Sequence, residues 1–264
     1  MIKNSLFCSV ISVFEYINYK LNSKGRYDIH SPFIYDFINL CLKIQGESRL
    51  NECKNELKSF YKNNQNSIVI SDAGVGSKKL GNKRVISQIF KISSSKGKYA
   101  DLLYKIAKFY QPKRVLEMGT SLGYGTLHLA LGNPDSNVVS IDACANTQNI
   151  AKESFDKINL NNIEFLNHTF IDYFKKYKGD QFDLVFVDGH HDGNALLDYL
   201  SILDEYTHNN TIFILDDIRW SRSMKEAWFR LIKMDKYHVT IDLFRMGILV
   251  KRPQQAKEHF VVRY

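Results

Sequence analysis

Three aspartates follow two apolar segments in the second half of the chain. Asp188 comes directly after the apolar run 182–187, and Asp216 and Asp217 follow the run 211–215. If both runs are neighbouring parallel strands, their carboxyl ends border one crevice and the three carboxylates meet there. Like charges at such a distance repel each other unless a cation or a proton lies between them. Because hard oxygen ligands suit Mg²⁺, the pattern predicts a divalent-cation site at Asp188, Asp216 and Asp217.

Two histidines stand close to the first of these carboxylates, in the segment FVDGHHDG at residues 186–193. His191 lies three residues after Asp188. An imidazole with an unperturbed pKa of about 6.5 is suited to accept a proton near neutral pH. We therefore predict that Asp188 and His191 are catalytic, with His191 as the base. The alternative is that His191 caps the next helix or supports another group, and His190 is expected to be structural.

A glycine-rich segment, VLEMGTSLGYGT at residues 115–126, follows an apolar run. Gly119, Gly123 and Gly125 allow the backbone to turn sharply and to approach a ligand closely, and the following helix presents free N–H groups. Asp142 lies 23 residues after Gly119, at the end of the next predicted strand. A carboxylate at that place commonly binds ribose hydroxyls, so the segment predicts a nucleoside cofactor.

A second glycine segment, SDAGVGS at residues 71–77, has similar spacing. No strand that ends in an acidic residue follows it at the required distance. We interpret it as a turn and helix start, with contact to substrate or cofactor as the alternative.

Strand and helix patterns alternate from residue 113 onward and indicate a parallel sheet with both faces covered. The predicted strands are 114–118, 138–141, 163–166, 182–187 and 211–215, with helices from about 123, over 148–158, near 195–206 and from about 223. The segments 238–244 and 248–251 are joined by a short turn and predict an antiparallel hairpin. The expected fold is α/β: a Rossmann-like, doubly wound, seven-stranded sheet, mostly parallel, with a C-terminal hairpin strand.

The region before the sheet has helical patterns. Apolar residues at helical spacing over 6–21 predict an amphipathic helix that packs on the rest of the protein. Further helices are expected from Pro32, which suits a first helical turn, and over 99–110. We predict that residues 1–98 form a helical extension or cap and that 99–264 form the catalytic domain.

Composition excludes several classes of protein. Hydrophobic residues make up 44% and charged residues 24% of the 264, with 14 glycines and 4 prolines, so the chain is neither fibrous nor disordered. No apolar stretch approaches the roughly 18 to 20 residues of a membrane span, and 6–14 lacks a signal-peptide cleavage site. The cysteines (Cys8, Cys41, Cys53 and Cys144) form no C-x-x-C pair. We expect free thiols in a bacterial cytoplasm, without disulfides or zinc.

The net charge of +8 is concentrated in one window. Residues 77–114 contain eleven basic residues and one acidic residue, Asp101, which leaves a small negative balance for the rest. This window could favour an anionic substrate, a nucleic acid or a membrane surface; alternatively, it is a solvated helical face.

The order of glycines in the segment after the first strand distinguishes two cofactors. Glu117 precedes Gly119 in an E-x-G-x-x-x-G arrangement, whereas a dinucleotide turn is G-x-G-x-x-G. The string LEMGTSLGYGT resembles the first motif of class I S-adenosylmethionine-dependent methyltransferases, especially O-methyltransferases of the catechol O-methyltransferase type. The resemblance covers about 94–252 and includes SSSKGKYADLL at 93–103 and the terminal hairpin. The leader, with its string HSPF at 30–33, is similar to an uncharacterised group of bacterial methyltransferases.

This resemblance implies a set of cofactor contacts. Glu117 would face the methionine end, Asp142 would bind the ribose, and the backbone near Gly119, Ser121 and Gly123 would line both. Thr169 and Phe170 stand where the family contacts adenine.

The resemblance also bears on the metal and on the base. Metal-dependent members have an Asp after the fourth strand and an Asp-Asn pair after the fifth, which correspond to Asp188, Asp216 and Asp217. Asp217 replaces the Asn, so metal use stays open. His191 stands where the family has a lysine that helps to deprotonate the substrate.

The predicted function is S-adenosylmethionine-dependent O-methylation of a hydroxylated small molecule. An anionic acceptor, Mg²⁺ assistance and a homodimer are compatible with the sequence. One alternative is a methyltransferase acting on RNA or another anionic macromolecule, although no RNA-binding module is recognisable. Others are a nicotinamide-dependent oxidoreductase, which the glycine order disfavours, and a non-catalytic methyltransferase-like binding module.

Overall fold

A computed structural model describes residues 13–25, 31–71, 83–93 and 97–264. Several features that the sequence singles out lie outside these residues. They are Cys8, the first half of the predicted N-terminal helix, His30 of the HSPF string, the glycines of 71–77, and Lys78, Lys79 and Lys96.

The described residues form a central sheet of eight strands and a separate two-stranded antiparallel sheet. The strands are β1 (Ser67–Val69), β2 (Lys83–Val85), β3 (Arg114–Met118), β4 (Asn137–Asp142), β5 (Ile163–Asn167), β6 (Phe182–Val187), β7 (Thr207–Leu215), β8 (Val239–Asp242), β9 (Gly247–Val250) and β10 (Glu258–Val261). The central order is β10-β8-β9-β7-β6-β3-β4-β5, and β9 runs antiparallel to both β7 and β8. The chain moves outward from β3 through β4 to β5, then returns to the other side of β3 with β6. This reversal opens a crevice at the carboxyl ends of β3 and β6.

The α/β Rossmann-like fold, the five parallel strands and the terminal hairpin are confirmed, and the sheet has one strand more than the seven expected. The additional strand is β10, which pairs in parallel with β8 from Glu258 opposite Val239 to Val261 opposite Asp242. Its sequence, EHFV, has only one fully buried side chain, Phe260, and its pattern is therefore too short for detection by hydrophobicity.

Helices cover both faces of the central sheet. They are α1 (13–22), α2 (Pro32–Asn39), α3 (Ser48–Lys62), α4 (Ile86–Ser93), α5 (Lys98–Tyr110), α6 (Tyr124–Gly132), α7 (Ala145–Asp156), α8 (Phe170–Lys176), α9 (Gly193–Ile202) and α10 (Arg222–Lys233). Side chains of α2, α5 and α6 join the core on one face, and α8, α9 and α10 form the core of the other. Because β3 is buried on both faces, Val115 and Leu116 are both inaccessible to solvent, as a central parallel strand requires.

The described part of the N-terminal helix does not pack as its apolar spacing predicts. Phe14, Ile17 and Leu21 of α1 are exposed, Leu21 to 79%. The buried contact is instead Tyr19, whose hydroxyl donates to the carbonyl of Val262 at 2.6 Å. The helix is therefore attached through its tyrosine face. Among the described helices, none combines the length and apolar character that crossing a bilayer requires.

Candidate active site at the carboxyl edge of the sheet

The glycine-rich segment after β3 forms a sharp turn before α6. Gly119, Ser121 and Gly123 all have positive φ angles, of 112°, 49° and 74°. At Gly119 a side chain could not fit, because an added Cβ would lie 2.3 Å from the carbonyl oxygen of Asp188. The end of β3 thus touches the end of β6, which brings the glycine turn directly beside the aspartate cluster.

Asp142, at the end of β4, is part of this turn. Its Oδ2 accepts a hydrogen bond from the backbone N–H of Ser121 at 2.8 Å, and its Oδ1 accepts one from the N–H of Cys144, also at 2.8 Å. A carboxylate offers about four acceptor positions, and these two bonds use one position on each oxygen. The side chain is partly exposed, at the place where a ribose-binding acid is expected.

Glu117 lies beneath the glycine turn and is only 1% exposed. Its Oε2 accepts hydrogen bonds from the hydroxyls of Thr126 and, at 2.5 Å, Ser140. Burial raises the pKa of Glu117 to about 8, although these two hydroxyls act in the opposite direction. The carboxyl group therefore supports the turn from within, and Gly125 leaves room for it, since an added Cβ there would lie 2.8 Å from Oε1.

Thr169 and Phe170, predicted near adenine, have defined structural contacts. The Thr169 hydroxyl caps α8 by accepting from the N–H of Asp172 at 3.1 Å. Phe170 is buried, and its ring lies edge-on to those of His190 and Tyr199. Phe170 thereby borders the loop after Asp188, whereas Thr169 is exposed at the start of its helix.

The three aspartates meet as predicted, but a cation from the chain itself lies among them. The guanidinium of Arg245 donates from Nε to Asp216 Oδ1 at 3.0 Å and from Nη2 to Asp216 Oδ2 at 2.8 Å. Its Nε also lies 2.9 Å from Asp217 Oδ1. Burial together with the charges of Asp216 and Asp217 raises the pKa of Asp188 well above its ordinary value.

Electrostatics keep Arg245 charged in this cluster. Burial opposes its charge, but the carboxylates of Asp216 and Asp217 more than compensate and raise its pKa. Burial, followed by the neighbouring Asp216, also raises the pKa of Asp217. The cluster is therefore a group of acids held together by one permanent positive charge.

This arrangement does not suit the divalent cation that the sequence predicts at Asp188, Asp216 and Asp217. Both oxygens of Asp216 are engaged by the guanidinium of Arg245. Within residues 13–25, 31–71, 83–93 and 97–264, no group of three or more His, Cys, Asp or Glu side chains is arranged to hold a metal ion. The described residues thus form an ion-pair cluster where the pattern predicts a metal site.

The two histidines after Asp188 face different surroundings. His190 Nδ1 lies 2.6 Å from the hydroxyl of Tyr199, which agrees with a structural role. His191 has one third of its side chain exposed, and its Nδ1 lies 4.0 Å from Asp217 Oδ2. An accessible imidazole beside a carboxylate has the surroundings that a general base needs.

A cavity of about 860 Å³ opens beside the cluster. Asp217 and Arg245 line it, together with the aromatic side chains of Trp220, Phe229 and Phe244. Glu15 of α1 also reaches the cavity, where it forms an ion pair with Lys225. The N-terminal helix therefore contributes to a space that Asp217 and Arg245 of the cluster also line.

Several lysines and arginines of the basic window 77–114 have structural contacts. Lys105 donates to the carbonyl of Leu42 at 2.8 Å, Lys108 pairs with Glu47 at 2.8 Å, and Arg114 donates to the hydroxyl of Tyr177 at 2.9 Å. These contacts tie the N-terminal segments and neighbouring loops to the sheet. They favour the interpretation of the window as a structural and solvated surface.

Arg245 was not predicted as a site residue, although the sequence contains a pattern that indicates its position. Arg245 lies in the turn between β8 and β9, and β9 pairs with β7 so that Gly247 is opposite Leu215. Since Asp216 follows Leu215 directly, this register places the hairpin turn at the aspartates. A basic residue in the turn of a terminal hairpin beside an acidic strand end is thus a detectable pattern.

Comparison with known proteins agrees with this geometry. A family model described as a methyltransferase domain matches residues 116–218. The catechol O-methyltransferase of Mycobacterium tuberculosis is 26% identical over 129 residues. That alignment covers 48% of this chain and 56% of the relative, so the chain spans little more than half of the relative's length.

Two solved structures are similar in fold. One is an O-methyltransferase from Bacillus cereus in complex with S-adenosylhomocysteine. It is 17% identical, the alignment covers 83% of this chain and 96% of that chain, and the TM-score is 0.57. The other is the O-methyltransferase TomG from Streptomyces achromogenes, in complex with S-adenosylmethionine. It is 14% identical, the alignment covers 86% of this chain and 99% of that chain, and the TM-score is 0.55. At these identities the likeness establishes the fold.

Proposed function

We propose that this chain is an S-adenosylmethionine-dependent O-methyltransferase that acts on a hydroxylated aromatic small molecule. Support comes from the methyltransferase family model that matches residues 116–218 and from the fold shared with solved O-methyltransferases. The observation that carries this proposal is the contact between Gly119 and the Asp188 carbonyl. This contact joins the turn fitted for a nucleoside cofactor to the acidic cluster and its cavity.

The turn has the features that S-adenosylmethionine requires. The absence of a side chain at Gly119 and the backbone held by Asp142 provide a cradle for the methionine and ribose portions. In this proposal Asp142 accepts the ribose hydroxyls, Glu117 supports the methionine end from below, and Thr169 and Phe170 border the adenine. When bound, S-adenosylmethionine supplies a methyl group on a sulfonium, which is transferred in line to an acceptor oxygen with S-adenosylhomocysteine as product.

The cavity supports an aromatic acceptor. Its volume of about 860 Å³ lies within the range typical of small-molecule sites. Two of its cations are paired with nearby carboxylates: Arg222 with Glu226, and Lys225 with Glu15. The proposal of an aromatic acceptor therefore rests on the aromatic side chains that line the cavity. These two paired cations do not favour a charged acceptor.

Asp188 and His191 have complementary roles in this proposal. The carboxyl group of Asp188 lies where the cofactor turn meets the acidic cluster, and it orients the acceptor hydroxyl by hydrogen bonding. His191 takes the proton, since a hydroxyl is a poor nucleophile until its proton leaves. The neighbouring Asp217 stabilises the resulting imidazolium by its negative charge.

The N-terminal extension acts as a cap in this proposal. Support comes from Glu15 in the cavity wall and from the rings of Tyr16 and Tyr19, which lie 5.0 and 5.2 Å from that of Phe244.

We also place the enzyme in the cytoplasm, where thiols stay reduced, because the described cysteines are free.

Replacing Asp188 with alanine tests the proposed chemistry. We expect turnover to fall at least about 100-fold, because the acceptor loses its orienting group, while affinity for S-adenosylhomocysteine changes little. The measurement is transfer of a labelled methyl group from S-adenosylmethionine to a panel of phenols and catechols, alongside a cofactor titration. Asp180→Ala, at an exposed aspartate in the loop before β6, is the matched control. Unchanged turnover in Asp188→Ala would refute its role, and a panel without any labelled product would contradict O-methylation of phenolic acceptors.

A further inference from the structure

The backbone turn that carries Arg245 is fixed by the fold. The turn that carries it is held by Asp242, which is 2% exposed and accepts two hydrogen bonds from Arg219, at 2.9 and 2.6 Å. Asp242 also accepts from the backbone N–H of Phe244 at 2.8 Å. The carbonyl of Arg245 accepts from the N–H of Ile218 at 3.0 Å, which ties the turn to the segment after β7.

The guanidinium has the geometry of a built-in counter-ion. It meets Asp216 through two parallel hydrogen bonds, a pairing that is specific to arginine, and it reaches Asp217 with the same Nε. Asp216 is 1% exposed, and a buried carboxylate without a partner would be strongly destabilising. The fold therefore supplies the positive charge that these acids need.

A divalent ion and this guanidinium compete for the same oxygens. A magnesium ion lies about 2.1 Å from its carboxylate ligands, so an ion bound to Asp216 would lie within a few ångströms of the guanidinium. At that separation two positive charges repel strongly inside a protein. Occupation by the metal would require the Arg245 side chain to give up its hydrogen bonds to Asp216 and its ion pair with Asp217.

The guanidinium also faces the cavity. One third of the Arg245 side chain is exposed, and Arg245 lines the cavity together with Asp217 and Phe244. An acceptor oxygen in this cavity can therefore approach a permanent positive charge. Negative charge develops on that oxygen as its proton leaves, and a preorganised cation stabilises such charge.

We infer that Arg245 takes the place of the divalent cation used by metal-dependent O-methyltransferases, neutralising Asp216 and Asp217 and stabilising the acceptor oxygen. The stabilisation of the acceptor oxygen rests on the proposed function. The hydroxyl proton passes to His191, and the oxygen keeps the electron pair that forms the new bond to carbon. The replacement of the divalent cation can be tested by metal binding alone, without any turnover.

A titration with Mn²⁺, followed by the decrease of the free-ion paramagnetic resonance signal, tests the inference. We expect the wild-type chain to bind no Mn²⁺ up to about 1 mM, and Arg245→Met to bind one ion with a Kd below about 100 µM. Arg245→Lys, which retains a positive charge, is expected to behave as wild type. Adding Asp216→Asn to Arg245→Met should remove the acquired site.

Two results would overturn the inference. One is stoichiometric binding of Mn²⁺ to the wild-type chain that Asp216→Asn abolishes. The other is the absence of Mn²⁺ binding in an Arg245→Met protein whose circular dichroism and thermal transition are native. Since neither result depends on S-adenosylhomocysteine binding, failure of the proposed function would be seen separately, in the cofactor titration.

Discussion

Replacing Glu117 with glutamine is expected to stabilise the free protein at pH 9 by up to about 5 kcal/mol and to change its stability little at pH 5. The reason is burial, which raises the pKa of this carboxyl group from an ordinary 4.5 to about 8. Glutamine has nearly the same shape but carries no charge at any pH. The variant therefore avoids a buried charge that the wild-type protein acquires as the pH rises.

The direction follows from proton linkage. The folded state holds the Glu117 proton more tightly than the unfolded state does, so its stabilising contribution is fully present below pH 4.5. That contribution is lost progressively as the pH rises towards 8, the value in the folded state. Urea unfolding of both proteins between pH 5 and 9 measures the difference.

A suitable control is Glu153→Gln, at an exposed glutamate of α7. Its free energy of unfolding should differ from that of the wild-type protein by a constant small amount across the pH range. A Glu117→Gln difference that stays constant with pH, or that declines as the pH rises, would contradict the assignment of Glu117 as a buried, largely protonated acid.

Replacing Gly119 with alanine is expected to weaken S-adenosylhomocysteine binding at least about 100-fold. Two effects act together: a φ of 112° strains any residue with a side chain, and the new Cβ would lie 2.3 Å from the Asp188 carbonyl oxygen. Backbone strain alone amounts to about 1–3 kcal/mol, and each 1.4 kcal/mol is tenfold in affinity. The strand ends must separate, which opens the cofactor turn.

The control for this variant is Gly46→Ala in the segment before α3, where the nearest atom to an added Cβ is the end of the flexible Leu50 side chain, at 3.1 Å. Calorimetric titration measures the affinity, and a thermal transition shows whether each variant is folded. Gly119→Ala binding within a few-fold of wild type would show that the approach of β3 to β6 does not shape the site.

The central strands could be predicted from the sequence because burial on both faces leaves a recognisable apolar pattern in each. A strand buried on both faces appears as a continuous apolar run, so the predicted bounds of β3 and β6 coincide with those observed. The position of Asp142 beside the glycine turn followed from the order of strand, turn, helix and strand. These are local patterns, and the rules of parallel sheets convert them into spatial neighbours.

Features that depend on long-range packing escaped prediction. The partners of Asp216 depend on how a hairpin about thirty residues later docks onto β7, and repulsion among three acids indicated only that a cation or a proton lies between them. A divalent ion was predicted there, with its use left open, whereas the described fold places Arg245 among these carboxylates. Similarly, the spacing of α1 indicated a buried apolar face, but Leu21 is exposed and the anchoring contact is Tyr19.

Calorimetric titration with S-adenosylhomocysteine tests the central claim, that the turn after β3 is a cofactor site, most directly. We expect one molecule to bind with a micromolar Kd, and Asp142→Ala to lose at least about tenfold in affinity, because the ribose loses its acceptor. Asp156→Ala, at an exposed aspartate of α7, should bind as the wild type does. Absence of binding to the wild-type protein, or equal affinity of Asp142→Ala, would contradict the account.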